Sequence, residues 1–352
     1  MTSSEPLISG EPLVEVTRGD LVESVHRIAA CACDARGDVA LAIGDVDAPV
    51  FLRSAAKPFI AAAAIAAGVR ETFGLDEREV AIMAASHSAQ PFHLEAVRSI
   101  LRKIGMGQSA LLCGAQLPYN EEAARAMLRR GEAPTTLHNN CSGKHAGILA
   151  LCRVLGADPA TYLDPANPAQ RAILSFCARL SDDDPEAWPL AVDGCGIPVY
   201  ATPLRRAALA FARFASLEGI AQADAAALKI VRDAMIAHPE YVAGTGEFDS
   251  ELMRVGAGRI ASKGGAEGVH GAAVIFSGLG YASKVVDGAA RARALFSIAA
   301  LRHLGALEEE QMAKLASFAK PVVYNRAGRA VGEIRVAAAA FEPEHAKDHG
   351  IG

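Results

Sequence analysis

Residues 53–68 read Arg53-Ser-Ala-Ala-Lys57-Pro-Phe-Ile-Ala-Ala-Ala-Ala-Ile-Ala-Ala-Gly68, and the chain changes character on either side of them. The run has high helix propensity, almost no polar face and a closing glycine. A helix apolar all round is ordinarily buried at the centre of a domain. Before it, Pro12 to Val50 alternate and carry turn signals: Val25 to Cys33 is β-prone, Asp34-Ala-Arg-Gly-Asp38 is a turn, and Val39 to Ile43 resumes. That pattern predicts a hairpin.

After it, residues 76–236 predict successive helices punctuated by Gly, Pro and Asp, the clearest being His93–Ile104, Asn120–Arg130, Lys144–Leu155, Pro168–Leu180, Pro203–Ala215 and Ala221–Ile236. A short strand, Leu190 to Val192, feeds the tight loop Asp193-Gly-Cys-Gly-Ile-Pro198. From Arg259 strand signals return over Arg259–Lys263, Val269–Phe276 and Gly280–Val286. A helix over Ala289–Leu304 follows, then strands near Val322–Tyr324 and Ala330–Ala338, and a polar, frayed tail from Glu342. The order predicts an α+β chain, 1–352 being one large domain. Strands from both ends, about 12–53 and 259–341, share one antiparallel sheet, and about 54–258 form a large helical insertion.

About half of the 352 residues are apolar and 21% are charged, with a formal net charge of −5. Scattered Lys and Arg in an acidic chain exclude a dedicated nucleic-acid surface, which needs clustered positive charge. No apolar run approaches the length that spans a bilayer. Met1-Thr-Ser-Ser-Glu-Pro6 has neither the basic head nor the apolar stretch of a signal peptide, so a cytoplasmic protein is expected. The odd count of seven cysteines fits a reducing compartment, and no C-x-x-C pair is present. Neither a dinucleotide-binding G-x-G-x-x-G nor a P-loop occurs.

Five segments could carry chemistry. In Ser54-Ala-Ala-Lys57 a three-residue spacing on a helix puts both side chains on one face. A buried lysine, its charged form disfavoured, can take the proton that makes a serine nucleophilic. Alone, the spacing is equally that of a capping serine and a solvated lysine. Ser86-His87-Ser88 follows an apolar segment and would also suit a cap or turn. His138-Asn-Asn-Cys141-Ser-Gly-Lys144-His145 crowds donors and acceptors at a helix entry, whose free N–H groups suit a carboxylate. Asp193-Gly-Cys195-Gly marks a close backbone approach, and two thiolates with a nitrogen donor would leave an open position on zinc. Ser262-Lys263-Gly264-Gly265-Ala-Glu267-Gly268 sets a lysine on a strand before glycines, as the K-T-G motif of penicillin-recognising enzymes does, but with Gly264 in place of threonine.

Arg53-Ser-Ala-Ala-Lys-Pro, Ala85-Ser-His-Ser, Asn139-Asn-Cys-Ser-Gly-Lys-His-Ala-Gly, Asp193-Gly-Cys-Gly-Ile-Pro and Lys263-Gly-Gly-Ala-Glu-Gly-Val together resemble the class 3 (Rhizobium etli-type, asparaginase II) L-asparaginase family. The resemblance runs from about Arg53 to Gly288. It implies a fold like serine β-lactamases and glutaminases, hydrolysis of L-asparagine to L-aspartate and ammonia, and a homodimer. It also implies Ser54 as nucleophile with Lys57 as base, and Ser86 with Lys263 as a second serine–lysine pair. Cys141, Lys144 and Cys195 would hold zinc, and Arg53, Asn140, His145 and Glu267 would grip the substrate. Three rivals stand beside this reading: a glutaminase or penicillin-directed hydrolase of the same architecture, a non-catalytic zinc- or amino-acid-binding protein, and a Cys141 nucleophile.

Overall fold

The computed structural model describes residues 8–338 and 340–341; the expected frayed tail from Glu342 and the segment Met1–Pro6, read above for a signal peptide, lie outside them. Two compact units form. One gathers the chain up to Leu52, Ala201–Ser216 and the residues from Val255 onward; the other comprises Arg53–Tyr200 and Leu217–Arg254.

The first unit is built on an antiparallel sheet that draws strands from both ends of the chain. Along it run Val322–Tyr324, Ala330–Val336, Glu11–Arg18, Leu21–Cys33, Leu279–Val285, Val269–Val274 and Ile260–Gly264, while Val39–Ile43 pairs with Leu21–Cys33 off this path. The hairpin expected across Asp34–Asp38 is present, with Ala30 opposite Ile43. A second hairpin, Glu11–Arg18 with Leu21–Cys33, precedes it. In Leu21–Cys33 the last six residues are all buried, the pattern of a strand covered on both faces.

One cover is the helix Leu204–Ser216, which packs on Leu279–Val285. Its backbone presses so close that a Cβ on Gly280 would lie 2.0 Å from Ala212 N and 2.1 Å from Ala208 O. Only glycine fits there. Its Phe211 and Phe214 are fully buried, each contributing roughly 1.5–3 kcal/mol of apolar burial. The helix Ala290–His303 also packs on this sheet, and its Ser297 is fully buried, as is Tyr281 of the strand Leu279–Val285. Tyr281 points to the face opposite Gly280, because successive side chains alternate across a strand.

The second unit is helical around Lys57–Ala66, which contacts Ser142–Leu155, Pro168–Ser181 and Gln222–Ala237. Every residue of that helix from Lys57 to Ile65 is buried, as an apolar helix without a polar face requires. It is shorter at its start than the sequence suggests: Arg53–Ala56 is a 3-10 turn, and the α-helix begins at Lys57 with Pro58 in its first turn. Gly68, at φ +89°, stops it. Glu77–Met83 is the first helix of the 76–236 stretch, started by a reciprocal cap in which Asp76 and Glu79 bond each other's backbone N–H. Leu190–Val192 pairs with 198–200 as a small ribbon around the glycine loop.

Candidate active site

Lys57 is the residue around which the helical unit's polar interior is arranged. It opens the buried helix, is fully buried, and its Nζ donates to Ala85 O at 2.7 Å and Ser86 Oγ at 2.9 Å. Burial pulls its pKa below the ordinary lysine range and the charge of Lys144 adds to that, against Cys141 and Cys195. Ser54 lies three residues earlier in the 3-10 turn, half-buried, with no hydrogen bond to its hydroxyl among the described residues. In a 3-10 turn residues three apart eclipse, which keeps Ser54 on the Lys57 side. Arg53 just before it holds a left-handed φ of +51°, a conformation rare outside glycine.

Ser86 is carried by an extended segment rather than a helix. Ser86 N donates to Val242 O (2.9 Å), His87 N to Asn140 O (3.1 Å) and Ser88 N to Ala243 O (2.8 Å). His87 locks the segment to the helix Ser142–Leu155. Its Nδ1 accepts from Ala89 N (3.2 Å), so Nε2 donates to Ser142 Oγ (2.8 Å), which donates to Leu137 O (2.9 Å).

The Cys141, Lys144 and Cys195 side chains come together in the same unit. Lys144 Nζ donates to Cys195 Sγ at 2.9 Å and lies 4.0 Å from Asp193 Oδ2, to which Cys195 Sγ donates at 3.7 Å. The neighbouring Cys195 thiol drives the Cys141 pKa well down against burial, helped by Lys144 and Lys57; Cys195 is pushed up by Cys141 and by burial. Burial pulls Lys144 down, but Cys141, Cys195 and Asp193 outweigh it and hold the ammonium above its usual range. Two buried lysines in one cluster are thus pushed in opposite directions, the arrangement that separates a base from a fixed cation.

Asn140 is half-buried, and its Oδ1 accepts from Cys141 Sγ at 3.2 Å. His145 is fully buried. Tyr162 OH accepts from Leu112 N (2.7 Å) and donates to His145 Nδ1 (2.7 Å), leaving His145 Nε2 without a partner among the described residues. Arg53 Nε donates to Asp193 Oδ1 at 2.5 Å. Burial pushes the Asp193 carboxyl up, but Lys144 and Arg53 outweigh it and keep it below the usual carboxylate range.

Lys263 and Glu267 belong to the sheet unit. Lys263 is buried on the strand Ile260–Gly264, its Nζ donating to Gly264 O at 2.6 Å. Glu267 is exposed at the following turn with φ +57°, and its carbonyl accepts from Lys284 Nζ at 2.8 Å. Sequence reasoning assigned nothing to Asp193, Tyr162 or His87. Asp193 opened a quoted loop and could have been named from its place before two glycines; Tyr162 carries no local signal at all.

Among the described residues no three His, Cys, Asp or Glu side chains are placed to hold a metal, so a metal at this cluster needs Lys144 as third donor beside Cys141 and Cys195. No helix among them is long and apolar enough to cross a membrane.

The buried histidines make the unit acid-sensitive. His93 accepts from Gln90 N through Nδ1 (3.0 Å) and donates from Nε2 to Glu240 O (2.8 Å). Burial pushes its pKa down to about 4, and His87 and His145 are lowered well below 6.5 for the same reason. A histidine kept neutral when folded binds fewer protons than it does unfolded. Stability is therefore full above pH about 6.5 and falls as pH drops towards 4, by about 3 kcal/mol for His93 alone. Urea midpoints at pH 7.5 and pH 5 should show a clear fall at the lower pH, smaller in His93→Gln. Equal midpoints would contradict the neutral, buried state.

A family model, L-asparaginase II, matches residues 14–336. No curated protein matches the chain. Similar solved structures include a crystal structure of Mglu (16% identity, covering 80% of this chain and 67% of that one, TM-score 0.36). Mglu in its native form with 4.3 M NaCl gives 15%, 79%, 60% and 0.35, and Mglu in its glutamate form 16%, 80%, 61% and 0.35. The chain thus spans 59–67% of the length of such structures. With the family model running from the first sheet strand to the last, the chain belongs to the L-asparaginase II family of amidohydrolases.

Proposed function

We propose that the protein is an L-asparaginase of the class 3 kind, a single catalytic domain of the serine β-lactamase/glutaminase-like plan, working in the cytoplasm as a homodimer. The observation that carries the chemistry is Lys57: fully buried, pushed towards its neutral form, bonded to Ser86 Oγ and three residues from Ser54. Ser54 Oγ attacks the side-chain amide carbon of L-asparagine while Lys57 takes its proton. Lys57 passes that proton through Ser86 to the departing amine, and ammonia leaves an acyl-enzyme. Water, deprotonated by the same lysine, then releases L-aspartate. Lys263 and Glu267 keep the roles the resemblance gives them, a second lysine and a grip on substrate. Within the helical unit the Nε2–H of His145, which has no partner among the described residues, and the guanidinium of Arg53 suit the substrate's carboxylate oxygens.

The donor chemistry of Cys141, Cys195 and Lys144 fits zinc, which favours thiolate and nitrogen donors and would keep one position open. When bound, the ion would supply a fixed positive charge for orienting substrate. Lys144 must lose its proton to coordinate, against the direction in which its neighbours hold it.

Ammonia release should be measured from L-asparagine, L-glutamine and a chromogenic β-lactam in parallel, before and after zinc removal by chelation. L-Asparagine should be the favoured substrate. Chelation should raise KM about tenfold, about 1.4 kcal/mol of binding, with kcat little changed. Ligand-induced stabilisation by L-asparagine without ammonia release would point to a binding protein instead.

A further inference from the structure

Gly265-Ala-Glu267-Gly268 turns the chain between the strands Ile260–Gly264 and Val269–Val274, closed by Gly265 N on Val269 O (2.8 Å) and Val269 N on Ala266 O (3.4 Å). Its last two residues, Glu267 (φ +57°) and Gly268 (φ +68°), are both left-handed, as at the centre of a type I′ turn. Asn, Asp or Gly takes the first of these positions readily; a glutamate there is held against its backbone preference. Such a conformation persists only where its surroundings over-determine it, and it points to a use for the side chain. Lys284, on the strand Leu279–Val285, donates from Nζ to Glu267 O (2.8 Å), and also to Val285 O and to Val286 O (3.4 Å). Arg293, half-buried on the helix Ala290–His303, donates from Nη1 to Gly265 O at 3.1 Å. Neither cation forms an ion pair with a carboxylate among the described residues; each is directed at a carbonyl of this turn instead. Gly288 leaves room for the glutamate side chain, since a Cβ there would lie 2.3 Å from Glu267 Oε2. Glu267 is exposed, and its carboxylate accepts no hydrogen bond among the described residues.

We propose that Arg293 and Lys284 are positioning residues that fix the Gly265–Gly268 turn so that the Glu267 carboxylate stands free to receive the ammonium group of an amino-acid substrate. The two cations act from different elements on different carbonyls of the turn, Gly265 O and Glu267 O, so the turn is held on both sides of Ala266 and cannot tilt about one anchor. Because their hydrogen bonds go to carbonyls, they hold the turn without occupying the carboxylate oxygens. An ammonium brought to that carboxylate gains a charge-assisted hydrogen bond that an uncharged group at the same place does not. Without either cation the glutamate relaxes from its left-handed φ and its carboxylate leaves the place that Gly288 keeps open. The inference rests on the reading that Glu267 grips the substrate, and adds to it which end is gripped and what holds the grip in place.

The test compares two probes that differ only in the ammonium group, L-aspartate and succinate, by calorimetric titration of the full chain. The unaltered protein should bind L-aspartate about tenfold or more tightly than succinate, and Glu267→Gln should erase that preference. Arg293→Met and Lys284→Met should each weaken L-aspartate about tenfold and leave succinate within about twofold. Arg293→Lys, which keeps the charge, should restore most of the preference. Gly288→Ala, whose new methyl displaces the carboxylate and touches neither cation's bond, should behave like Glu267→Gln. A loss of packing alone would weaken both probes together, and that result in Arg293→Met and Lys284→Met overturns the proposal. It is equally overturned if Glu267→Gln erases the preference while both methionine variants keep it; the grip by Glu267 then stands without its positioning residues. A preference that survives Glu267→Gln, or no binding of either probe by the unaltered protein, removes the grip itself and the proposal with it. Titration needs no turnover, so failure in the ammonia assay and failure here are separate results.

Discussion

Ser54→Ala should lower the rate of ammonia release from L-asparagine by about four orders of magnitude or more, about 5.5 kcal/mol of barrier, while leaving the fold unchanged. The two halves of that expectation have different causes. Ser54 is half-buried and its hydroxyl makes no hydrogen bond among the described residues, so its removal leaves nothing unsatisfied and should cost under about 0.5 kcal/mol. The whole effect then falls on the chemical step. Lys57→Met should lose comparable activity but also stability, because Ala85 O and Ser86 Oγ lose their buried donor, worth about 1–3 kcal/mol. Ser86→Ala removes one link of the proton path and should cost about 10²–10⁴-fold. Cys141→Ala separates the readings: the serine scheme expects only weakened turnover, a cysteine nucleophile expects none. Full activity in Ser54→Ala with none in Cys141→Ala would remove Ser54 from the mechanism.

Much of this arrangement can be read from the chain before any coordinates. The helix Lys57–Ala66 is visible because an uninterrupted apolar run has one stable location, and the hairpin around Asp34–Asp38 because its turn residues sit between β-prone runs. Two kinds of information stay hidden. The first is the charge state of each lysine. Lys57 and Lys144 are both buried, yet one is pushed down and the other up; Lys144 is held up by Cys141 close by in the chain, but also by Cys195 and Asp193, some fifty residues beyond it. No local window contains those neighbours. The second is partner choice. Spacing pairs Lys57 with Ser54, whereas its hydrogen bonds go to Ala85 and Ser86, on a segment fixed by Val242 and Asn140. Tyr162 orients His145 from outside any motif.

Gly143→Ala should be the most damaging single methyl in the helical unit, lowering stability by about 3 kcal/mol or more. A Cβ there would lie 2.1 Å from Ile82 O and 2.9 Å from its carbonyl carbon. The obstacle is backbone, which cannot rotate away as a side chain can. Ile82 O already accepts from Ala85 N at 3.1 Å, and Ala85 O accepts from Lys57 Nζ. Displacing Ile82 therefore moves the segment that carries Ser86, and variant protein that folds should have a lowered kcat. Gly147, one turn further along the same helix, is the control. Its Cβ would meet Met83 Cε at 2.9 Å and Cγ at 3.0 Å, flexible thioether atoms that can move aside, so Gly147→Ala should cost under about 1.5 kcal/mol. Glycine's lower helix propensity would offset part of even that. Denaturant midpoints of the two variants, measured with kcat on the folded fraction, decide the matter. If Gly143→Ala is as stable as Gly147→Ala, the helices Ser142–Leu155 and Glu77–Met83 are not in backbone contact. The packing that sets Ser86 beside Lys57 would then need another cause.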